Sequence, residues 1–124
     1  MRAYDVTPPP ERLAESVQIR TAFSTHRGVV TRFAIQLEYW IAGDWCEVVR
    51  YDHDQDAPGG HDVTADGLHR DVYRDGEKHR TIPVSPPVPA NAAFQYAEDD
   101  LRENVERFVK RFERWHGVTD RSNL

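Results

Sequence analysis

The segment from Phe33 to Ile41 carries an alternation of residue types that restricts the fold more than any other pattern in the chain. Every second residue is apolar, whereas two of the four intervening residues are polar or charged. Because successive side chains of a β-strand point to opposite faces, this period of two predicts an antiparallel strand with one buried face. The apolar members are Phe33, Ile35, Leu37, Tyr39 and Ile41. A sheet built around this strand needs a second layer to cover its apolar face.

The C-terminal part of the chain supplies a candidate for that layer. Apolar residues there step by four, three, four and three positions, which is the spacing of one face of an α-helix. They are Leu101, Val105, Phe108, Phe112 and Trp115. Acidic residues at 98–100 and basic residues between 110 and 114 match the polarity of the helix dipole, and Gly117 is suited to end the helix. We therefore expect an α+β fold, with an antiparallel sheet of four to five strands and one long C-terminal helix packed on one face.

Turn-forming residues and prolines predict the remaining strands and the limits of the domain. Strands are expected at 16–23, 29–41, 45–51, 67–74 and 78–84. Three consecutive prolines at 8–10 predict a flexible, proline-rich arm over residues 1–12. The fold should then occupy 13–117 as a single domain, which suits a chain of 124 residues, and a tail should follow at 118–124.

The turn at Gly43-Asp44 decides which side of the sheet carries Arg50. If these two residues form a two-residue loop, Leu37 pairs with Arg50, and the guanidinium lies at the end of the apolar face. A three-residue loop would instead place Val49 and Tyr51 on that face and leave Arg50 in solvent. We favour the two-residue loop because it puts Gly43 where the turn requires a positive φ.

Charge and composition narrow the class of partner. The chain has 16 basic and 21 acidic residues, a net charge of −5, whereas a protein that held duplex nucleic acid by phosphate neutralisation alone would carry the opposite balance.

No run approaches the roughly 20 apolar residues that a membrane helix needs, so no membrane partner is expected. Cys46 is the single cysteine, which excludes an internal disulfide. We expect a cytoplasmic protein.

Histidines concentrate in one stretch, with four of the six between His53 and His79. His53 and His61 fall in the polar segment 52–66, which we interpret as a long loop, and the spacing of eight between successive histidines is not that of a short metal-binding motif. No cofactor is therefore expected. Metal binding by His53, His61 and His69 with loop aspartates is kept as the alternative.

The strand that follows the loop carries the most specific chemical pattern. In an extended segment His69, Asp71 and Tyr73 share one face, and Arg70 lies on the other. An imidazole beside a carboxylate and a phenol suits general acid–base chemistry on a phosphodiester, and Arg50 could stabilise the developing charge. The predicted catalytic residues are His69, Asp71, Arg50 and Tyr73. Secondary contributions are assigned to His61, Arg70 and Asp52.

The same residues carry a resemblance that spans about 29–80. Arg50-Tyr51-Asp52-His53, Gly60-His61-Asp62 and the segment from Gly67 to Gly76 resemble a group of small uncharacterised bacterial and archaeal proteins. More distantly, Arg50-Tyr51-Asp52 and His69-Arg70 are similar to the TumE-like toxins of toxin–antitoxin modules. Those toxins have a tighter Gly-Asp-His-Arg-His motif, and this chain lacks its second histidine. The distant resemblance implies an RNA substrate and an antitoxin-like protein partner.

Three hypotheses about function remain open from the sequence. The first is a toxin-like, metal-independent ribonuclease in which His69 is the general acid or base, Asp71 orients it and Arg50 contacts the phosphate. The second is a non-enzymatic interaction module that forms a homodimer or binds a partner protein. Trp40, which the favoured register pairs with Glu47 on the face opposite the helix, would lie in that interface. The third is the metal-binding alternative.

Overall fold

A computed structural model provides the structure of the chain and describes residues 3–57 and 60–118. Its strands are β1 (Glu11–Ala14), β2 (Val17–His26), β3 (Val29–Ile41), β4 (Asp44–Asp54), β5 (His69–Arg74) and β6 (Glu77–Pro83). Its helices are α1 (Val63–Asp66) and α2 (Ala90–Trp115).

The six strands form one antiparallel sheet in which neighbours in the chain are neighbours in space, in the order β1 to β6. The α+β class, the antiparallel sheet and the long C-terminal helix are thus confirmed, but the expected count of four to five strands is wrong. The additional strand is β1, which begins at Glu11 inside the segment assigned to the arm. It is too short and too polar for its pattern to reveal it.

Other residues of the predicted arm also contact the sheet. Val6 and Phe23 exchange two backbone hydrogen bonds of 2.9 Å, and the guanidinium carbon of Arg32 lies 4.0 Å from the centre of the Tyr4 ring. These contacts place the arm against the side of the sheet that α2 leaves uncovered. Of the predicted tail, only Val118 belongs to the described residues, and 119–124 lie outside them.

The turn between β3 and β4 differs from the favoured prediction. Its central residues are Ala42 and Gly43, whose φ angles of 55° and 79° are those of a type I′ turn. The extra residue Val48 forms a β-bulge, so that Leu37 pairs with Val49. The register that paired Leu37 with Arg50 is therefore wrong. The bulge allows Val48, Val49 and Tyr51 all to be buried, and it turns Arg50 to the opposite face.

The helix α2 covers the apolar face of the sheet, chiefly over β3 and β4. It begins at Ala90, eight residues before the predicted first turn at 98. The additional turns bury Ala90, Ala93 and Ala97, whose small side chains allow a close approach to the sheet but add little to an apolar pattern. Leu101, Phe108 and Phe112 of the predicted stripe are buried. No helix in the described part of the chain is long and apolar enough to cross a membrane.

Two buried polar contacts join α2 to the sheet. The Tyr39 hydroxyl donates to Oε2 of Glu113 at 2.7 Å, and the Tyr51 hydroxyl donates to Oδ2 of Asp100 at 2.6 Å. Nη1 of Arg70 also donates to Oδ2 of Asp100, at 2.5 Å. Burial, together with the hydrogen bond to Asp100, raises the pKa of Tyr51, so this phenol stays protonated as a donor. Unpaired polar groups in a protein interior are costly, so these contacts position the helix as well as stabilise it.

Removing the Tyr39 hydroxyl should destabilise the fold. Tyr39→Phe leaves the Glu113 carboxylate, which is 3 % exposed, without its phenolic donor. We expect the free energy of unfolding to fall by about 1–3 kcal/mol, measured by urea denaturation. Tyr96→Phe is the matched control, because Tyr96 is 47 % exposed and its loss should change stability by less than about 0.5 kcal/mol. Equal effects of the two substitutions would contradict the assigned contact.

Candidate active site

The uncovered face of the sheet collects charged side chains from β4 and β5. Val49 and Val72 pair across these strands and are fully buried under α2, so their neighbours Arg50 and Asp71, which also pair, point to the other side. By the same alternation Asp52 shares the uncovered face with them. This half of the sheet thus carries core residues on one side and titratable residues on the other.

Asp52 lies at the centre of the first set of contacts. Its Oδ2 accepts a hydrogen bond of 2.9 Å from Nε of Arg50, and its Oδ1 lies 3.1 Å from Nδ1 of His61. Nη1 of Arg50 in turn donates to the side-chain oxygen of Gln36 at 3.1 Å. The centre of the His61 ring lies 5.5 Å from that of His69 in an edge-to-face arrangement. One carboxylate therefore orients both a guanidinium and an imidazole.

Asp71 forms a second set of contacts with β6. It is 2 % exposed, its Oδ1 accepts a hydrogen bond of 2.7 Å from the Thr81 hydroxyl, and its Oδ2 lies 3.4 Å from Nζ of Lys78. Tyr73 follows on the same strand, and burial, followed by the Glu47 carboxylate, raises the pKa of its phenol. Tyr73 is therefore a proton donor at neutral pH rather than a base.

Arg50, Asp52, His61 and Lys78 line an open pocket. Residues of β4, the following loop, β6 and the arm line a cavity of about 260 Å³. Its walls include Tyr4, Arg50, Asp52, His61 and Lys78. We refer to the six residues Arg50, Asp52, His61, His69, Asp71 and Lys78 as the open-face cluster.

The described residues on both sides of His61 contain more regular structure than the long loop predicted for 52–66. The strand β4 continues to Asp54, whose backbone N–H donates to the His61 carbonyl at 2.8 Å, and α1 begins two residues later at Val63. His53, assigned to the loop, is 1 % exposed, and its Nδ1 accepts a hydrogen bond of 3.1 Å from the Val63 N–H. That part of the loop prediction is wrong because the apolar side of β4 extends two residues past Tyr51.

Six of the seven predicted site residues lie together on the uncovered face, and one does not. The six are His69, Asp71, Arg50, Tyr73, His61 and Asp52. Arg70 lies under α2, where its guanidinium carbon is 4.8 Å from the centre of the Phe108 ring. His53 also points to the helix side, so it cannot share a metal ion with His61 and His69. Lys78 and Thr81 were not among the predicted site residues. Lys78 pairs with Tyr73 directly from the turn, whereas the pairing of Thr81 with Asp71 depends on a β-bulge at Val72/Tyr73.

Trp40, the residue predicted to form an interaction surface, lies on the uncovered face and is 41 % exposed. It pairs with Trp45 rather than with Glu47, and the two rings are 5.4 Å apart. The guanidinium carbon of Arg12 lies 5.0 Å from the Trp45 ring. The indole is therefore partly shielded within the chain, and a homodimer or partner interface at Trp40 stays a prediction.

The fold and the open-face cluster define a small α+β protein in which titratable side chains gather on the face of the sheet that α2 leaves uncovered. Residues 2–118 match the family described as a domain of unknown function (DUF7718), and the chain belongs to this family. No curated protein and no solved structure matches the chain.

Three residues of the cluster offer ligand atoms in a geometry that could hold a metal ion. Asp52, His61 and Asp71 each present one such atom, and the three atoms lie within 4.8 Å of one another. Arg50 and Lys78, however, already contact the two carboxylates. A cation would have to compete with both positive side chains, so the charge balance of the site favours an anionic ligand.

The buried imidazole of His53 should make stability depend on pH. Burial lowers the pKa of His53, against a smaller opposing effect of the Asp62 carboxylate, so the unfolded chain takes up this proton at a higher pH than the folded chain. The free energy of unfolding should therefore fall as the pH drops below about 6.5. In His53→Gln, which retains a hydrogen-bond acceptor but does not titrate, this fall should be smaller.

Urea denaturation of the wild type and of His53→Gln on both sides of that pH measures the difference. His26→Gln is the control, because His26 is exposed at the end of β2, and its replacement should leave the pH dependence unchanged. The same pH dependence in the wild type and in His53→Gln would show that His53 is not held neutral.

Proposed function

We propose that this chain is a metal-independent ribonuclease that cleaves RNA by general acid–base catalysis in the open-face cluster. The observation that carries the proposal is the pair of imidazoles, His61 and His69, whose ring centres are 5.5 Å apart, with His61 in a pocket that Arg50 and Lys78 also line. Two imidazoles at this spacing can act on the two sides of one phosphodiester, one accepting and one donating a proton.

His61 is the better candidate for the general base. Asp52 lies at its Nδ1, so the carboxylate favours the tautomer with a proton on that nitrogen and leaves Nε2 with its lone pair available. Nε2 would remove the proton from the 2′-hydroxyl of RNA as the 2′-oxygen attacks phosphorus. His69, which the sequence predicted as general acid or base, is then the general acid. The carboxylate that orients the general base is that of Asp52, which contacts His61, and not that of Asp71.

The second half of the reaction needs a proton at the leaving group. As the bond from phosphorus to the 5′-oxygen breaks, protonated His69 would donate to that oxygen. The products are a 2′,3′-cyclic phosphate and a free 5′-hydroxyl. One proton is taken up by His61 and one is released by His69, so the number of protons is conserved. Arg50 and Lys78 would stabilise the charge that develops on the non-bridging oxygens, and Tyr73 offers a further hydrogen bond.

Local charge supports an anionic substrate despite the net charge of −5. Within the cluster the carboxylates of Asp52 and Asp71 are balanced by Arg50 and Lys78, so protonation of either imidazole makes the site positive. The likeness of Arg50-Tyr51-Asp52 to the TumE-like toxins supports the same class of substrate and, as partner, an antitoxin-like protein.

The test is cleavage of a fluorescently labelled single-stranded RNA by purified protein in the presence of EDTA. We expect His61→Gln and His69→Gln each to reduce the cleavage rate by about 10²–10⁴-fold, the usual contribution of a general acid or base. Lys78→Gln should also reduce it, and His26→Gln should not. The wild-type products should carry a 2′,3′-cyclic phosphate, and DNA of the same sequence should remain intact.

Two outcomes would refute the proposal. One is RNA that remains intact with the wild-type protein, and the other is full activity in His61→Gln and His69→Gln. Circular dichroism of each variant separates a loss of catalysis from a loss of the fold.

A metal centre at Asp52, His61 and Asp71 is the second candidate, favoured by the convergence of their three ligand atoms. It predicts that the untagged protein, titrated with Zn²⁺ or Mn²⁺ in a calorimeter, binds one ion, and that Asp71→Asn binds it at least about tenfold more weakly. Stoichiometric binding of this kind, with RNA cleavage that EDTA abolishes, would replace the metal-independent mechanism. Heat changes equal to those of buffer would exclude the metal centre.

A further inference from the structure

The helix side of the sheet carries a group of arginines that the proposed reaction does not use. They come from β5 and β6 and from the last turns of α2, where the sheet extends beyond the cover of the helix. We refer to Arg74, Arg80, Arg107, Arg111 and Arg114 as the arginine surface. It lies on the opposite face of β5 and β6 from the open-face cluster.

Two aromatic rings contact three of these five guanidiniums. The guanidinium carbon of Arg111 lies 5.6 Å from the centre of the Phe108 ring and 5.1 Å from that of Trp115. Arg107 lies 4.9 Å from the Phe108 ring, and Arg74 lies 4.9 Å from the Trp115 ring. Cation–π contacts of this kind hold planar guanidiniums in place without neutralising them.

The arginine surface lacks counterions. Nε and Nη2 of Arg111 are buried and have no hydrogen-bond partner. Within residues 3–57 and 60–118, none of the five guanidiniums forms an ion pair with a carboxylate. Burial, and then the nearby Arg107, Arg80, Arg70 and Arg114, lower the pKa of Arg111 to about 10.

Packing alone does not account for these neighbouring arginines. Arg107 and Arg111 are four residues apart on α2, a spacing at which like charges destabilise a helix, and an aliphatic residue at 111 would cover Phe108 and Trp115 without a desolvation cost. Arg107, Arg111 and Arg114 form one stripe about 10 Å long, from the rise of 1.5 Å per residue. Nη2 of Arg107 donates to Oδ1 of Asn104 at 3.2 Å, but this amide carries no charge. The exposed guanidiniums of Arg107 and Arg114 at the two ends of the row are therefore suited to contacts with phosphates.

We propose that the arginine surface binds the phosphodiester backbone of a single-stranded nucleic acid, with RNA as the natural ligand. Guanidiniums that contact the Phe108 and Trp115 rings can stack with unpaired bases, which a duplex does not offer and an acidic peptide does not contain. The surface is separate from the open-face cluster, and this binding does not require that the chain cleave RNA.

Fluorescence anisotropy with a labelled 2′-O-methyl oligouridylate of about 12 nucleotides tests the proposal, because this length fits common single-strand sites. The probe cannot be cleaved by attack of a 2′-hydroxyl, so the result is independent of the proposed ribonuclease activity. The test variant is R107Q/R114Q, in which both residues are exposed. The control is R12Q/R27Q, which removes the same charge from two other exposed arginines.

We expect R107Q/R114Q to bind the probe at least about tenfold more weakly than the wild type, and the control variant to bind within about twofold of it. The slope of log K against log salt concentration should fall in magnitude by about 1.4, since each lost phosphate contact contributes about 0.7 for a single strand. A DNA strand of the same length shows whether the surface recognises only the phosphate backbone or also the ribose. Equal binding of DNA assigns recognition to the backbone, and weaker binding of DNA adds a contribution from the ribose.

Three outcomes would overturn the proposal. They are equal affinity of the wild type and R107Q/R114Q, an equal loss in R12Q/R27Q, and tighter binding of a poly-glutamate peptide than of the oligonucleotide. Thermal denaturation with and without the probe gives a second measurement. The probe should raise the Tm of the wild type and of the control variant, and it should not raise that of a folded R107Q/R114Q.

Discussion

The pairing of β4 with β5 is the constraint on which the rest of the molecule depends. Val49 pairs with Val72 and Arg50 with Asp71, so one register buries the two valines under α2 and turns the two charges to the bare face. A shift of one residue would bury an arginine and an aspartate and expose the core. The same strand register therefore determines both the packing of the core and the positions of the charged residues in the candidate active site, so a change in one would change the other.

The distribution of charge follows from the same arrangement. The chain has a net charge of −5, yet β5 and β6 carry cationic groups on both sides: Lys78 beside the paired carboxylates on the bare face, and unpaired arginines beside α2. The two proposals use these sides differently. On the bare face every cation of the open-face cluster has a carboxylate partner that orients it, as catalysis requires. On the helix side the guanidiniums are held by aromatic rings, which suits binding of an external anion.

Several features could be predicted from the chain because they rest on local periodicity. The alternation in β3, the apolar stripe from Leu101 to Trp115 and the shared face of His69, Asp71 and Tyr73 each repeat over enough residues to be recognised. The errors have a common origin in non-local packing. The β-bulges at Val48 and at Val72/Tyr73 each shift the register by one residue. No residue type at these positions predicts a bulge. The alanines that begin α2 were missed because small side chains contribute little to an apolar pattern. Their role is to let the helix approach the sheet closely.

The sequence by itself determined an antiparallel sheet covered by one C-terminal helix, and it placed a histidine, an aspartate and a tyrosine on one face of a strand. Strand and helix periodicity are properties of consecutive residues, so they require no partner. Only the tertiary structure decided that Arg50 joins that face, and that Arg70 on the opposite face contacts Asp100 and Phe108. The meeting of His61 with His69 was decided in the same way. Those outcomes depend on bulges, on the backbone hydrogen bond between Asp54 and His61 and on the area that α2 covers, all of which are set by packing across the whole domain.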